Sequence, residues 1–578
     1  MLKITNKFRK YYLQKSNILI WKKKPEEILR IEKNNKYIWF PDGKINLYEN
    51  CISKNLKKNK IAIITINSKK KIKKYTFQHL DQKVNHMANY LNKFSKNKKI
   101  RIMIHASASI ESAVLMLTCA KLGLHFSVIF EELESLGIQN RIKLFKPNIF
   151  FTRLSHENFI NKINYKKENK IRFVYKAEIE GIINNITKCK PVKNKIVNSY
   201  NSLFTLFTSG STGAPKGITH STGGYLLYSK LSCQKQFGMK ENSVVFTASD
   251  AGWINGHTYS LFGPLSLGST TILIEKPILL LDINLFQKIL DLKTSIIYLP
   301  VTIIRLIKSF NKNLKINKKY ICTLGSMGEP LAPSVAAWFA KNFLKKNNAI
   351  VNTYFQTETG GIICSPRYNQ HINNVPHGSV GQPLSEHVKL NNLERKNIKE
   401  IKITSPWPGM MKNVINSKTE WNKYWDSKNN FRLFDLSTKK KKNIFIHGRN
   451  DDVVNIRGHR IGSEEIESIL LKIKEITECC VITLDDNLEG SIIYLFVVAN
   501  INLNTQIEKI IISTFGTFAI PKKIFYVNQI PKTRSGKILR RLLKNIMTNP
   551  KTTDYGDTST ILNLESLKNI HRMLKLNE

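Results

Sequence analysis

The 578-residue sequence predicts an α/β fold, a large N-terminal domain on a largely parallel sheet followed by a small α+β C-terminal domain. Three observations predict it. Short apolar runs such as Ile61–Ile66, Ile102–Ile104 and Phe126–Phe130 alternate with longer segments of helical period, the pattern of parallel strands joined by crossover helices. The length exceeds what one hydrophobic core organises, so two or more domains are expected. The texture changes at the charged turn Gly448–Asp452, which divides the chain into domains 1–450 and 451–578.

The elements follow in order. Residues 1–60 show little periodicity, and Trp39–Gly43 with Asn46 and Asn50 reads as a surface segment laid on a domain. Ile61–Ile66 is a buried strand. Thr76 is placed to cap a helix through Leu91, in which Leu80, Val84, Met87, Ala88 and Leu91 recur at helical spacing. Ile110–Leu122 is the next helix, with Gly123 as its stop. Residues 150–200 are polar and lysine-rich and read as peripheral surface. Leu203–Phe207, Val244–Thr247, Ile272–Ile274 and Ile296–Leu299 are further strands, and Gly223–Gln234 and a segment starting at Val301 are helices. In the C-terminal part, Glu464–Leu471 is helical, Cys480–Leu484 and Ile492–Ala499 are strands, and residues 502–512 are helical. The turn Pro531–Lys537 leads into a basic helix, Ile538–Ile546.

The formal net charge is +49, which raises a nucleic-acid-binding or scaffold role as the competing function class. The lysines are spread evenly among Asn and Ile, and no aromatic-interleaved basic platform stands out. The charge therefore reads as compositional bias, with no specific nucleic-acid partner expected. Salt-dependent RNA binding is the observation that separates the two classes. The eight cysteines are scattered without metal spacing, which predicts reduced thiols and a cytoplasmic protein. The apolar runs are short and interrupted, so no membrane partner is expected.

Three loops carry chemistry. In Thr208–Gly217, the hydroxyls of Thr208, Ser209, Ser211 and Thr212 stand among Gly210 and Gly213, with Lys216 near the end. Glycines let backbone N–H groups converge on an anion, hydroxyls add donors, and the lysine adds a point charge. No Gly-Lys-Ser/Thr closes the loop, so it is not a Walker A motif. The second loop, Leu324–Pro330, contains Gly328, Glu329 and Pro330. The third, Asn352–Gly361, offers Thr357 as a phosphate donor and Glu358 as an oxygen ligand for hydrated Mg²⁺. Its Tyr354 and Phe355 supply flat faces for a base or an acyl pocket. Lys537 lies in a glycine-containing turn from which it could be delivered into another site.

These residues together resemble the acyl-adenylate-forming enzymes, and within them short-chain acyl-CoA synthetases of the acetyl-coenzyme A synthetase type. The resemblance runs from about residue 37 to 562. It rests on Trp39–Gly43, Thr208–Gly217, Asp250–Trp253, Gly325–Pro330, Tyr354–Gly360, Gly378–Gly381, Thr404–Gly409, Gly448 and Arg449 with Asp451 and Asp452, Gly458–Arg460, Pro531–Lys537 and Gly556–Thr560. It implies a large adenylation domain and a small mobile C-terminal domain hinged near Asp451. It implies ATP, Mg²⁺ and CoA as cofactors and acetate or propionate as substrate. The carboxylate attacks the ATP α-phosphate, diphosphate leaves, and a CoA thiol then takes the acyl group from acyl-AMP.

The same resemblance assigns roles. Lys537 neutralises charge at the α-phosphate, with Thr357 and Arg460 completing the catalytic set. Thr208, Ser209, Gly210, Ser211, Thr212, Gly213 and Lys216 hold the outgoing phosphates. Gly328, Glu329, Pro330, Asn352, Thr353, Tyr354, Phe355 and Gln356 line the nucleotide site, although the family usually has Asp where Asn352 stands. Asp435 matches the ribose ligand, Arg449, Arg457 and Arg460 match phosphate, nucleotide or CoA contacts, and Glu358 is the Mg²⁺ residue. Lys537 is also a candidate for regulatory acylation.

The acyl pocket maps to Ile254, Asn255, Met327 and Phe355, where acetate enzymes carry Val, Thr, Val and Trp. Phe355 still caps it and Met327 adds bulk, which excludes long chains. Asn255 is the odd feature, an amide where a methyl is expected to sit. On the CoA side, the family's Gly-Gly-Phe is Glu131, Glu132 and Leu133 here, and those carboxylates should repel the 3′-phosphate. A phosphate-binding Arg aligns with Ile512. An adenylation enzyme with a lost or altered CoA step is therefore the alternative enzyme reading.

Overall fold

The computed structural model describes the chain apart from residues 1–3, 58, 96–99, 134, 163–170, 188, 210–214, 311–315, 330, 346, 394–397, 450–452, 457–458, 487–489, 516, 534–535, 537, 553–554, 556–560 and 576–578. Two seven-stranded sheets organise the N-terminal part. One runs Val351–Asn352, Thr323–Met327, Ile296–Pro300, Val244–Thr247, Thr270–Ile274, Ile61–Ile66 and Ile72–Thr76, parallel except for the last, edge strand. The other runs Arg172–Val174, Ile149–Thr152, Arg101–His105, His125–Ile129, Ser202–Ser209, Pro215–Ser221 and Asn413–Val414, with the first five parallel, Pro215–Ser221 reversed against them and Asn413–Val414 antiparallel to Pro215–Ser221. Strands such as Thr270–Ile274 and Thr323–Met327 are buried along their whole length, as expected of a parallel sheet covered on both faces.

Local signals fix the crossover helices. Phe77–Ser95 is capped by Thr76, whose Oγ1 accepts from the His79 N–H at 3.1 Å, and the five periodic apolar residues from Leu80 to Leu91 are fully buried. Ile110–Leu122 starts at a Ser109 capping box and ends at Gly123, whose φ of 62° is the left-handed cap that glycine adopts at least cost.

Three expectations need correction. Trp39 and Phe40 are buried in the main core, and Asn46 and Asn50 are buried with their amides bonded to backbone, so this segment is interior rather than surface. Its aromatic side chains gain more from burial than its polar neighbours lose, because those neighbours find partners. Residues 150–200 are not all periphery either. Ile149–Thr152 is a buried strand within the second sheet, and its four-residue length hid it in lysine-rich sequence. Finally, Thr208–Gly217 is not loop throughout, because strands enter it from both sides. Ser202–Ser209 and Pro215–Ser221 form an antiparallel hairpin that pairs Thr208 with Lys216.

Past residue 398 the chain builds a three-stranded antiparallel sheet from Lys399–Ile403, Phe431–Lys440 and Asn443–Arg449. The C-terminal part carries the hairpin Val453–Ile456/His459–Gly462 and a sheet of Glu478–Asp486, Gly490–Val498 and Lys523–Tyr526. The helices Ser463–Leu470, Asn504–Phe515, Arg540–Thr548 and Leu564–Lys575 pack around it, giving a small α+β unit with its own apolar clusters.

Candidate active site

The turn Thr357–Thr359 is closed by Gly360 in the left-handed region and held from three sides. His220 Nε2–H donates to the Thr357 carbonyl at 2.8 Å, the Trp407 indole N–H donates to the Thr359 carbonyl at 2.9 Å, and the Met411 N–H donates to the Glu358 carbonyl at 2.9 Å. The Glu358 carboxylate is buried, and Tyr424 donates its hydroxyl to Oε1 at 2.6 Å. Lys216 reaches the same place from the hairpin. Its ammonium lies 5.9 Å from the Tyr424 ring centre and pairs with Glu420. Burial alone would raise the Glu420 carboxyl, but Lys216 and Lys423 hold it below the ordinary value. Lys216 is thus held by a carboxylate in this structure. A phosphate there must draw it from Glu420. Tyr424 and Glu420 belong to or follow the helix Lys418–Lys423 and carry no sequence motif that announces them.

Asp435 is buried on the strand Phe431–Lys440. Its Oδ2 accepts from the Tyr354 hydroxyl and from Gln356 Nε2, both at 2.6 Å. Arg449 is its register partner on the neighbouring strand. Asn352, with Leu331, Gly378 and Ser379, lines a small open cleft of about 30 Å³. Both ends of the Asn352 amide are engaged: Ser326 Oγ donates to Oδ1 and Nδ2 donates to the Ser379 carbonyl, each at 3.0 Å. It therefore ties two walls of the cleft together. Thr353 Oγ1 bonds the Tyr298 hydroxyl at 2.7 Å and the Ser326 carbonyl at 2.8 Å.

Ile254 and Asn255 sit on the short helix Ile254–His257, both buried. Asn255 Nδ2 touches Met327 Sδ. Phe355 closes over the same apolar cluster, with its ring centre 6.4 Å from that of Tyr259. The four residues assigned to the acyl pocket therefore share one neighbourhood, with Tyr298 and Tyr259 as further walls.

The C-terminal part reaches this face through the turn after Pro531. Gly536, at φ 87°, packs on Thr302, and Thr302 Oγ1 donates to Glu329 Oε1 at 3.1 Å. Arg305, one helical turn on, pairs with the other oxygen of Glu329. Burial lowers the Arg305 guanidinium, while Glu478 and Glu467 of the C-terminal part act in the opposite direction. Glu478 pairs in turn with Lys532, and Glu467 with Arg540 at 2.5 Å. Arg305 thus pairs with Glu329 within electrostatic reach of Glu478 and Glu467, and its sequence surroundings gave no hint of this.

On the expected CoA side, Glu131 is not an unpaired repelling anion. Arg153 donates to it at 2.9 Å and also pairs with Glu275 at 2.7 Å and Glu111 at 3.3 Å. Burial would raise Glu131, but Arg153 and the Ser107 N–H keep it low. One guanidinium serves three carboxylates, so the cluster is held together yet stays net negative. Glu132 is exposed, and Ile512 is 41% exposed on its helix. Gly210, Ser211, Thr212, Gly213, Pro330, Arg457 and Lys537, and the side chains of Ser209, Arg449 and Arg460, lie outside the described residues. Thr208 and Gly328 are described, the latter at φ 90° directly before Glu329. Among the described residues no group of three or more His, Cys, Asp or Glu could hold a metal, and no helix is long and apolar enough to cross a membrane.

The chain was compared with known proteins. The family model for AMP-binding enzymes matches residues 53–403, that for the AMP-binding enzyme C-terminal domain matches 465–537, and that for the acetyl-coenzyme A synthetase N-terminus matches 4–51. An acetyl-coenzyme A synthetase of Helicobacter pylori is 31% identical over 617 aligned positions, covering 97% of this chain and 92% of its own. One from Leptospira biflexa is 33% identical over 605, covering 96% and 92%. In fold, the chain is similar to the acetoacetyl-CoA synthetase of Streptomyces lividans, with a TM-score of 0.83, 17% identity and coverage of 99% and 92%. It is also similar to an anthranilate CoA ligase solved with anthranoyl-AMP, at 0.75 and 19% over 87% and 97%. The chain belongs to the AMP-binding, acyl-adenylate-forming enzymes, in the short-chain acyl-CoA synthetase branch with the acetyl-coenzyme A synthetases, and its class is AMP-forming acyl-CoA ligase.

Proposed function

We propose that this protein joins a small carboxylate, acetate or propionate, to CoA through an acyl-adenylate. The observation that supports this reading is the contact of Gly536, which precedes Lys537 in sequence, with Thr302 beside Glu329. In the first half-reaction a carboxylate oxygen bonds to the ATP α-phosphorus and the bond to diphosphate breaks. Both reactants are anions, so the barrier falls when fixed positive charge and donors await the charge that develops. Lys537 supplies that charge, Thr357 and Arg460 support it, and Thr208 with Lys216 holds the leaving phosphates. Asp435 accepts from the ribose hydroxyls, and Arg449 stands opposite it in register. Domains 1–450 and 451–578, hinged at Asp451, then reorient so that a thiol attacks the acyl carbon and AMP leaves.

Mg²⁺ fits the donor set. Glu358 is a single buried hard-oxygen ligand held by Tyr424, and Mg²⁺ commonly takes one or two carboxylates with substrate phosphates and water. When bound, it would offset charge on the triphosphate. CoA is the proposed acceptor, and Arg457 is the proposed contact on its side. The second reading, adenylation with a different acceptor, is favoured by the net-negative Arg153 cluster and the exposed Ile512.

One assay tests both readings. Purified protein with ATP, Mg²⁺ and acetate or propionate should release diphosphate, and adding CoA should convert the adenylate to thioester. No carboxylate-dependent diphosphate release would remove the catalytic reading. Release without thioester would favour the second. Lys537→Ala should stop adenylation and spare thioester formation from supplied acyl-AMP, and equal loss of both would contradict its role. Acylation of Lys537 should have the same effect as the substitution.

A further inference from the structure

The strand Phe431–Lys440 breaks its own pairing directly before Asp435. Against Lys399–Ile403, Lys402 pairs with Arg432 and Glu400 with Leu436, so two steps on one strand match four on the other. The surplus residues form a bulge, and Phe434 lies within it at φ 58°. A bulky aromatic residue seldom adopts that left-handed conformation, which glycine takes at far lower cost. The surroundings hold it in place. The Arg432 guanidinium lies over the Phe434 ring, 4.7 Å from its centre, and is itself fixed by Glu400 at 2.9 and 2.8 Å. The Tyr424 ring meets that of Phe434 edge-on, with centres 5.6 Å apart. Gln356 Nε2 donates at 2.6 Å both to the Leu433 carbonyl and to Asp435 Oδ2, and so spans Phe434 from its two neighbours.

An unfavourable backbone conformation persists only where its surroundings over-determine it, and a bulge re-aims the side chain beside it. The side chain that follows Phe434 is Asp435, buried and bonded to Tyr354 and Gln356, each at 2.6 Å. Returning φ at Phe434 to the extended region would rotate the chain that follows and swing Asp435 off both partners. We propose that Phe434 is a positioning residue for the nucleotide. Its ring, clamped by Arg432 and Tyr424, holds the bulge that aims Asp435 at the ribose hydroxyls. The inference rests on the assignment of Asp435 to the ribose and adds the residue that orients it.

AMP and 2′,3′-dideoxy-AMP differ only in the two ribose hydroxyls, so the ratio of their affinities reads what Asp435 contributes. Binding of each is measured by titration calorimetry for the wild type, Phe434→Val, Phe434→Gly and Phe434→Tyr, with thermal unfolding to verify that each variant folds. The wild type should bind AMP roughly tenfold or more tightly, the size expected of hydrogen bonds to a carboxylate. Phe434→Val, whose β-branched side chain resists positive φ, should bring the ratio near one while dideoxy-AMP binds as before. Phe434→Gly takes the conformation without strain but lacks the ring, and should lose the ratio in part. Phe434→Tyr keeps the ring and should keep the ratio. A ratio retained in full by folded Phe434→Val or by folded Phe434→Gly would overturn the inference and leave the nucleotide reading intact. So would a loss in Phe434→Tyr equal to that in Phe434→Val. Equal weakening of both ligands would make Phe434 a general support of the site and overturn its positioning role. No preference for AMP in the wild type would remove the ribose assignment of Asp435, and this inference with it.

Discussion

Gly536 of the C-terminal part lies against Thr302 of the N-terminal part so tightly that a Cβ on it would stand 2.6 Å from Thr302 Cβ. Its φ of 87° disfavours any other residue independently. Gly536→Ala should therefore displace the turn before Lys537 and slow diphosphate release at least roughly tenfold, with thioester formation from supplied acyl-AMP much less affected, since fixed positioning governs the first step. Combining it with Thr302→Gly should recover part of the loss. Equal damage to both half-reactions would detach this contact from adenylation.

Arg153 pairs with Glu111, Glu131 and Glu275 at once. Arg153→Ala should lower unfolding free energy by about 3 kcal/mol in urea titrations, because it strands partly buried carboxylates. Adding Glu131→Gln should return part of that, since one of the repelling charges is gone. An additive further loss would contradict the cluster.

Tyr424 is the hydroxyl donor to Glu358. Tyr424→Phe should cost about 1 kcal/mol of stability and raise the Mg²⁺ concentration needed for half-maximal diphosphate release several-fold. The KM for the carboxylate should not move, because the acyl pocket is untouched. A shift in that KM alone would separate Tyr424 from the proposed metal ligand.

Burial holds His220 down to about 4, despite its bond to the Thr357 carbonyl, and holds His125 and His257 down to about 3. A depressed folded-state pKa means the unfolded chain binds these protons first. The stabilisation is present above pH 6.5 and is lost as pH falls toward 4. His220 alone accounts for about 3 kcal/mol over that window, at 1.36 kcal/mol per pKa unit. Unfolding of the wild type should steepen below pH 6.5, and His220→Gln should flatten part of that slope while keeping a donor for Thr357. An identical slope in both would assign the acid sensitivity elsewhere.

Much of the fold was legible in the sequence because its determinants are local. The strand Ile61–Ile66 and the helix Ile110–Leu122, with Ser109 before it and Gly123 after it, have the bounds that apolar pattern and capping chemistry predict. Ile149–Thr152 was not legible, because four apolar residues gain their identity only from the sheet that flanks them. The second hairpin strand, Pro215–Ser221, was obscured by the very Pro, Lys and Gly that make its loop conspicuous.

By itself, then, the sequence determined the α/β class, the chemistry-bearing loops and the family, because glycine, hydroxyl and charge spacing along the backbone is one-dimensional information. Only the tertiary structure decided how those groups are used. It paired Lys216 with Glu420, closed Asn352 on Ser326 and Ser379, neutralised Glu131 with Arg153 and left Asn255 with an unpaired atom. Partners far apart in the chain meet only after folding, and burial then makes each satisfied or unsatisfied polar group count.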